Sequence, residues 1–463
     1  MNRWNETLDS KKRSVIILFI FLSVVVPFVP AILAVLVVAI ILYMIKDIPL
    51  QKLNYYLFIG VVISGFLGPY LALPAFPSFF LFRILIILHL FLFLFEKKDF
   101  KKLDSVKIPI ILFIVWILYS IFSLLWTSSP SLSIVAIYYQ IESFYLLFAF
   151  VYYINNFTKL KQMLTWIVLI YIMTIAIGLW EILTGNHLKY SAGNILSYGD
   201  MRPTGLLVNT NDYSSYIAFY IPILLLFLFN KKTIFKSLIG IAALGALTFI
   251  ILETESRSGL VAFVVVAVLT LYKIFHHKIL FFFGLTMSAL LGLCLLLMRH
   301  GAQLTTYFTG KTDSTSQRAF MYETIFQLCK EHNFLGVGIG VTPKFVFTAL
   351  YGTSNIPDTM QRTMSAHNLW LSNLSDVGII GFFPFVLLFM WFVTHAMRLY
   401  IQNQQLLAAI PICILAAFAA ISIGSSSIFE MRIVWLGLGL ALTIINLLGQ
   451  NTNNLKIRTG VTR

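Results

Sequence analysis

Long apolar runs separated by short polar turns make up most of the chain, and they predict transmembrane helices. A helix needs roughly 20 apolar residues to cross a bilayer core of about 30 Å. A first run, 14–45, is too long for one crossing and carries Pro27 and Pro30 near its centre, which favours a hairpin of two helices. The later runs are 52–70, 79–95, 107–126, 132–154, 162–183, 213–230, 235–252, 258–275, 279–298, 376–395, 406–424 and 433–449.

The pattern therefore predicts an all-α, polytopic membrane protein of about 12–14 transmembrane helices, with 1–463 as a single integral membrane domain. Two polar stretches interrupt it, 184–212 and 299–366. We expect both to be outer loops, and the larger one, 299–366, to cover an active site because loops this long usually carry function. The basic N-terminus followed by an apolar run reads as a retained signal-anchor helix.

The positive charges agree with this alternation of helices and loops. Lys and Arg accumulate in cytoplasmic loops of membrane proteins. The short segments 96–107 and 230–236 are strongly basic, whereas the turns 71–78 and 127–131 carry no Lys or Arg. The basic segments are therefore assigned to the cytoplasm, and the alternation then places both termini in the cytoplasm and both long loops outside. The net charge of +15 is thereby explained as an anchoring charge in contact with membrane lipids, so we expect no nucleic-acid partner.

Composition argues against a metal site or a disulfide framework. The 3 Cys residues are scattered along the chain, and two of them lie in apolar runs, where they act as small packing residues. The chain has no Asp-x-Asp sequence, and the first predicted outer turns contain no acid. We therefore predict metal-independent chemistry without a cofactor.

Three arginines fall on the predicted outer side: Arg202, Arg257 and Arg318. The guanidinium fork matches two phosphate oxygens and stays charged when partly buried, so the set suggests a phosphate site. Arg257 opens a predicted helix, whose N-terminus adds partial positive charge. Arginines at this depth can also simply extend toward lipid headgroups. Glu255 offers a nearby salt-bridge partner.

His367 stands where the larger loop re-enters the membrane, and Asn368 follows it. An imidazole there can act as a general base toward a sugar hydroxyl, or it can only cap a helix or bond a carbonyl. Gly336, Gly338 and Gly340 superficially resemble a phosphate-binding loop, but a sharp turn is the expected role because no strand precedes them. Four polar residues inside apolar runs, Arg83, Gln140, Glu142 and Glu181, should line a cavity.

Taken in order, these motifs resemble the O-antigen ligase and polymerase superfamily. The resemblance runs from about Glu181 to Gly381. The motifs that carry it are Arg202-Pro203-Thr204-Gly205 with Asn211, Ser256-Arg257-Ser258-Gly259, Arg318, Gly336-Val337-Gly338-Ile339-Gly340, His367-Asn368 and Gly378-Ile379-Ile380-Gly381.

The resemblance implies a membrane glycosyltransferase that uses a polyprenyl diphosphate-linked oligosaccharide, in the bacterial cytoplasmic membrane. It implies that Arg202, Arg257 and Arg318 bind the donor diphosphate and that His367 assists the acceptor hydroxyl, with Asn211, Glu255 and Asn368 in support. We expect the acceptor to be another lipid-linked glycan, so that the enzyme polymerises a bacterial surface polysaccharide such as O-antigen, capsule or a teichuronic-type polymer. Transfer to lipid A-core by a ligase is the alternative, and a third branch of the superfamily transfers to protein. A transporter or flippase of lipid-linked glycan is the alternative of a different class. The glycosyltransferase hypothesis requires His367 and the arginines to lie close together.

Overall fold

The computed structural model describes residues 48–73, 76–195, 202–229, 233–275, 287, 312–352, 367–424 and 428–459. The hairpin predicted within 14–45 and nearly all of the run 279–298 lie outside this described part of the chain. The α-helices are α1 (Leu50–Leu67), α2 (Leu81–Phe95), α3 (Lys107–Phe122), α4 (Pro130–Tyr153), α5 (Phe157–Thr184), α6 (Ala192–Ile195), α7 (Thr210–Phe229), α8 (Ile234–Glu253), α9 (Arg257–Ile274), α10 (Thr312–Glu331), α11 (Thr342–Tyr351), α12 (Leu369–Gln402), α13 (Ile410–Ile421) and α14 (Arg432–Thr459).

Shorter elements connect several of these helices. In the described residues, two strands, β1 (Ala72–Leu73) and β2 (Phe76–Phe80), pair antiparallel. The 3₁₀ turns are Gly68–Leu71, Phe100–Val106, Ser123–Leu125, Leu406–Ala409 and Ile428–Glu430.

The predicted all-α membrane fold is confirmed. Within the described residues, 9 helices are long and apolar enough to cross a membrane, and two shorter apolar segments, Leu81–Phe95 and Leu406–Ile421, accompany them. Each predicted run from 52–70 onward corresponds to one of these helices, apart from 279–298. The chain is a multi-pass membrane protein.

The chain divides into two units. In the smaller unit, which holds residues up to Gly60 and Leu85–Lys98, the Asn54 amide donates to Glu96 Oε2 at 3.0 Å. The larger unit holds Val61–Ile84 and the chain from Asp99 onward. All of the candidate site residues lie in this larger unit.

The core of the larger unit depends on close helix contacts. Gly259 of α9 lies against Ser214 of α7, where a Cβ atom would have no room. The Tyr220 hydroxyl of α7 donates to the Ile433 carbonyl of α14 at 2.6 Å. Helix α14 is the most enclosed of the described spans, with 89% of its apolar window buried. The contact between Gly259 and Ser214 brings the starts of α7 and α9 together, and both starts carry candidate site residues.

Helix α12 reverses direction near its start. Gly378 has φ 66° and ψ −178°, which only glycine adopts readily. Trp370 precedes this glycine, and Phe385 and Phe389 follow it. The ring centroid of Trp370 lies 5.2 Å from that of Phe385 and 5.5 Å from that of Phe389. In a straight helix, residues 370 and 389 would be about 28 Å apart. Residues 369–377 therefore fold back along the rest of α12.

The helix also begins earlier than predicted. The sequence pattern set its start at residue 376, whereas α12 begins at Leu369. Asn373, Ser375 and Asp376 lower the hydropathy of the first turns, although all three are buried. The larger predicted loop, 299–366, contains two helices of its own, α10 and α11, in its described residues.

Candidate functional site

Arg257 is the first residue of α9, as predicted. Ser256 caps the helix, because its side-chain oxygen accepts a hydrogen bond from Gly259 N at 3.3 Å. The Arg257 side chain is exposed at this end. The positive end of the helix dipole and the guanidinium charge therefore lie at the same place.

Arg202 is held next to the turn that precedes Arg257. Its Nη1 lies 3.8 Å from Glu255 Oε2, and both side chains are about one-third exposed, at 36% and 32%. Glu255 has a left-handed backbone with φ 53°. Nearby, the Thr210 hydroxyl donates to the Thr254 carbonyl at 3.3 Å. The loop that carries Arg202 and the turn before α9 are thus joined by two polar contacts.

Glu181 anchors the segment that carries Arg202, a role that sequence analysis did not assign. Its side chain is fully buried near the end of α5. Glu181 Oε2 accepts hydrogen bonds from Thr204 N and Gly205 N, each at 2.7 Å. The sequence marked Glu181 only as a lone acid near the end of an apolar run, and this pattern did not reveal its hydrogen-bond partners.

Asn211 lies in the first turn of α7. Its backbone N donates to Asn209 Oδ1 at 2.7 Å. Its carbonyl accepts from the Ser214 and Ser215 hydroxyls at 2.7 Å and 2.8 Å. These contacts shape the start of α7, next to the Thr210 bond to Thr254.

His367 occupies a strained corner directly before α12. Its backbone is left-handed with φ 50°, which is uncommon for a residue with a side chain. Asn368 is the N-cap of α12, and its side chain accepts from Leu371 N at 3.1 Å. Leu369 N then donates to the Ser422 carbonyl at 2.8 Å. The corner is therefore fixed against the segment that follows α13.

Helix α10 brings Arg318 and Tyr322 to this corner, one turn apart. The Tyr322 hydroxyl lies 3.2 Å from the His367 carbonyl and 2.9 Å from the Ile423 carbonyl. The charge of Arg318 acts on both Tyr322 and His367. Sequence analysis predicted Arg318 but not Tyr322, because a single tyrosine in a polar loop carries no distinctive pattern.

The environment of His367 favours the neutral imidazole. Burial lowers the pKa of His367 below its usual value, and the positive charge of Arg318 lowers the pKa further. A hydrogen bond with the backbone of Gly424 opposes the two effects in part. At neutral pH the ring is therefore available to accept a proton.

Gly424 also connects His367 to the Arg257 helix start. A Cβ atom at Gly424 would lie 2.7 Å from Ser258 Cβ, so the Gly424 backbone lies directly against the Ser258 side chain. Gly424 hydrogen-bonds with His367 on one side and packs against the residue after Arg257 on the other. Arg202 pairs with Glu255, two residues before Arg257, and the charge of Arg318 acts on His367. Contacts, chain neighbours and this charge interaction together link all four predicted site residues.

Comparison with known families finds a match to the part of the chain that carries three of these four residues. Residues 242–386 match the family model described as O-antigen ligase. The chain carries an O-antigen ligase domain. The matched residues include Arg257, Arg318 and His367, while Arg202 precedes them. No curated protein matches the chain.

The glycines of the O-antigen ligase domain form a sharp turn, as expected. Gly336, Gly338 and Gly340 all have positive φ. The turn pairs with the break in α12, since Val337 N donates to the Ser375 carbonyl at 3.0 Å and Gly338 N to the Asp376 carbonyl at 2.9 Å. A Cβ atom at Gly336 would lie 2.6 Å from the Asp376 carbonyl oxygen, so this close approach requires glycine.

A buried carboxylate holds the same turn of the O-antigen ligase domain. Asp376 accepts hydrogen bonds from Gly340 N at 2.9 Å, Thr342 N at 2.9 Å and the Thr342 hydroxyl at 2.6 Å. It thereby caps the start of α11 from another helix. In the part of the chain that the structure describes, no group of three or more His, Cys, Asp or Glu side chains is arranged to hold a metal ion.

Proposed function

We propose that this protein transfers an oligosaccharide from a polyprenyl diphosphate carrier to a sugar hydroxyl, at the extracytoplasmic face of the bacterial cytoplasmic membrane. We further propose that the acceptor is another lipid-linked glycan, so that the protein polymerises a surface polysaccharide. The observation that carries the proposal is the position of His367. The charge of Arg318 acts on it, and Gly424 connects it to the helix start at Arg257.

The arginines are suited to the carrier diphosphate. The diphosphate is both part of the donor and the leaving group, so its negative charge grows as the glycosyl bond breaks. Arg257 contributes its own charge and the N-terminus of α9, and Arg202 and Arg318 contribute from two other segments. Interactions that strengthen as charge develops lower the barrier without a metal ion.

His367 is suited to the acceptor. In the proposed step the acceptor oxygen bonds to the anomeric carbon, and the bond from that carbon to the diphosphate oxygen breaks. The hydroxyl proton passes to His367, and polyprenyl diphosphate leaves. The lowered pKa of His367 keeps the ring neutral before the step, as a general base requires.

A second candidate function is ligation of the finished glycan to lipid A-core. The description of the matching family model, O-antigen ligase, favours it. The two functions share the donor and the proposed roles of the arginines and His367. They differ only in the acceptor, which can be varied in the same experiment.

The test is reconstitution of the purified protein in liposomes with lipid-linked oligosaccharide, with and without lipid A-core, followed by gel analysis of the glycan. His367→Ala and Arg257→Ala are the test variants. His332→Ala is the matched control for the first, since His332 is exposed at the end of α10. Arg398→Ala, on the exposed surface of α12, is the control for the second.

A ladder of lengthening glycan without added acceptor, lost in both test variants and kept in both controls, would support the polymerase. Product only in the presence of lipid A-core would establish the ligase instead. Movement of the donor across the bilayer without any glycan product would overturn glycosyl transfer and favour a flippase.

A further inference from the structure

A second histidine lies beside the segment that carries Arg202, held by the buried acid Glu181. His187 Nδ1 is 3.3 Å from Glu181 Oε1 and 3.4 Å from Ser191 Oγ. The His187 side chain is only 4% exposed, and that of Glu181 is fully buried. The sequence singles out Glu181 as a cavity-lining residue but does not single out His187.

The partners of Glu181 fix its geometry. Its two oxygens accept from Thr204 N, Gly205 N and the Thr204 hydroxyl, at 2.7 Å, 2.7 Å and 3.1 Å. The Thr204 hydroxyl is also 2.8 Å from Ser191 Oγ. A carboxylate with several donors in fixed positions orients the imidazole as firmly as it orients the loop.

The pair determines which ring nitrogen carries the proton. Glu181 is the acceptor in its other hydrogen bonds, and an oxygen that accepts from Nδ1 as well places the ring proton on Nδ1. In the neutral ring this leaves Nε2 as an acceptor. His187 Nε2 is buried, and no group in the described part of the chain hydrogen-bonds to it. An oriented acceptor of this kind is suited to a ligand that donates.

The surroundings of His187 indicate the class of ligand. Glu181 bonds to Thr204 and Gly205, which follow Arg202 by two and three residues, so the pair of His187 and Glu181 lies next to the Arg202 segment. Tyr190, three residues after His187, packs edge-on against Tyr70 with ring centroids 5.4 Å apart. A phosphate oxygen is an acceptor and does not match an unprotonated Nε2, whereas a hydroxyl does. Aromatic rings in the same segment as a hydroxyl-binding group are suited to a sugar.

We propose that His187 Nε2 accepts a hydrogen bond from a sugar hydroxyl of the lipid-linked oligosaccharide, close to the diphosphate held by Arg202. The proposal rests on the proposed function and assigns the sugar-binding side of the same site. Glu181 is its positioning residue, which fixes the tautomer of His187 and anchors Thr204 and Gly205.

The experiment measures binding of two ligands to the full-length protein in nanodiscs: polyprenyl diphosphate-linked oligosaccharide, and polyprenyl diphosphate without sugar. His187→Asn retains an amide near the Nδ1 position and removes Nε2. Glu181→Gln retains an acceptor for the loop but presents an amide donor to His187, which moves the ring proton to Nε2. His332→Asn is the matched control, and the thermal midpoint of each variant checks its folding.

For both test variants we expect the Kd of the oligosaccharide ligand to rise roughly tenfold, the factor for one lost hydrogen bond, with the Kd of the sugar-free carrier unchanged. Equal weakening of both ligands would overturn the proposal, because the contact would then be to the diphosphate or would be purely structural. Unchanged binding of both ligands to His187→Asn would overturn it as well. Failure of the wild-type protein to bind the oligosaccharide would instead refute the proposed function.

Discussion

Gly424 lies so close to Ser258 that a Cβ atom at residue 424 would stand 2.7 Å from Ser258 Cβ and 3.0 Å from Ser258 Oγ. Gly424 is also the residue whose backbone bonds with His367. Contacts closer than about 3 Å between carbon atoms require one group to move. This single glycine therefore sets the spacing between the proposed base and the helix start of the proposed diphosphate site.

The first prediction is that Gly424→Ala lowers kcat at least tenfold while the protein stays folded. The added methyl group pushes the His367 corner away from α9, and small displacements of catalytic groups cost large factors in rate. Ser258→Gly in the same chain removes both clashing atoms and should restore most of the activity. Gly449→Ala, where no atom lies within 4 Å of the added Cβ, is the control. Failure of the double variant to recover would argue against this spacing role.

The second prediction concerns the pH dependence of glycosyl transfer. With His367 as the base, kcat/KM rises with pH through the lowered pKa of His367 and is level at neutral pH. Arg318→Gln removes the charge that helps to lower this pKa, so the pKa rises and the acid limb moves to higher pH. Burial, the larger cause, remains, so the limb should stay below the usual range for histidine.

The measurement is the pH profile of kcat/KM for both proteins at fixed ionic strength. Lys330→Gln removes a positive charge from the exposed surface of the same helix and should leave the profile in place. A lower rate for Arg318→Gln with no movement of the acid limb would refute the coupling of Arg318 to His367.

The third prediction is that Asp376→Asn destabilises the protein by about 2–4 kcal/mol, because three hydrogen bonds to a buried carboxylate are weakened and an amide donor would face Gly340 N or Thr342 N. Thermal unfolding in detergent measures the change. Asp104→Asn, at an exposed position, is the control. An unchanged thermal midpoint would mean that the turn after Gly336 does not depend on this carboxylate.

The fourth prediction separates a positioning effect from a stability effect at Glu255. The ion pair with Arg202 is 3.8 Å long and partly exposed, so Glu255→Gln should change the free energy of unfolding by only about 0–1 kcal/mol. It should nevertheless weaken binding of the carrier diphosphate several-fold, because Arg202 loses the group that orients it. A calorimetric scan and the Kd of sugar-free polyprenyl diphosphate test the two statements. Unchanged diphosphate binding would contradict the positioning role.

Much of the molecule was determined by local features of the sequence. The length of an apolar run decides whether a helix crosses a bilayer, and this depends on neighbouring residues alone. For the same reason the sequence predicted that Arg257 opens a helix and that Gly336, Gly338 and Gly340 form a sharp turn, as the structure shows. The candidate residues Arg202, Arg257, Arg318 and His367 also came from the sequence.

Only the tertiary structure decided how these pieces meet. The reversal at Gly378 lies at the start of an apolar run that was predicted from residue 376, and the hydropathy of that run does not report the direction of the chain. The contacts of Glu181 with Thr204 and Gly205, of Gly424 with Ser258 and of Tyr322 with His367 join residues far apart in the chain. A buried acid, a glycine or a tyrosine finds its partner through the packing of whole helices, and a single sequence records the residue without its partner.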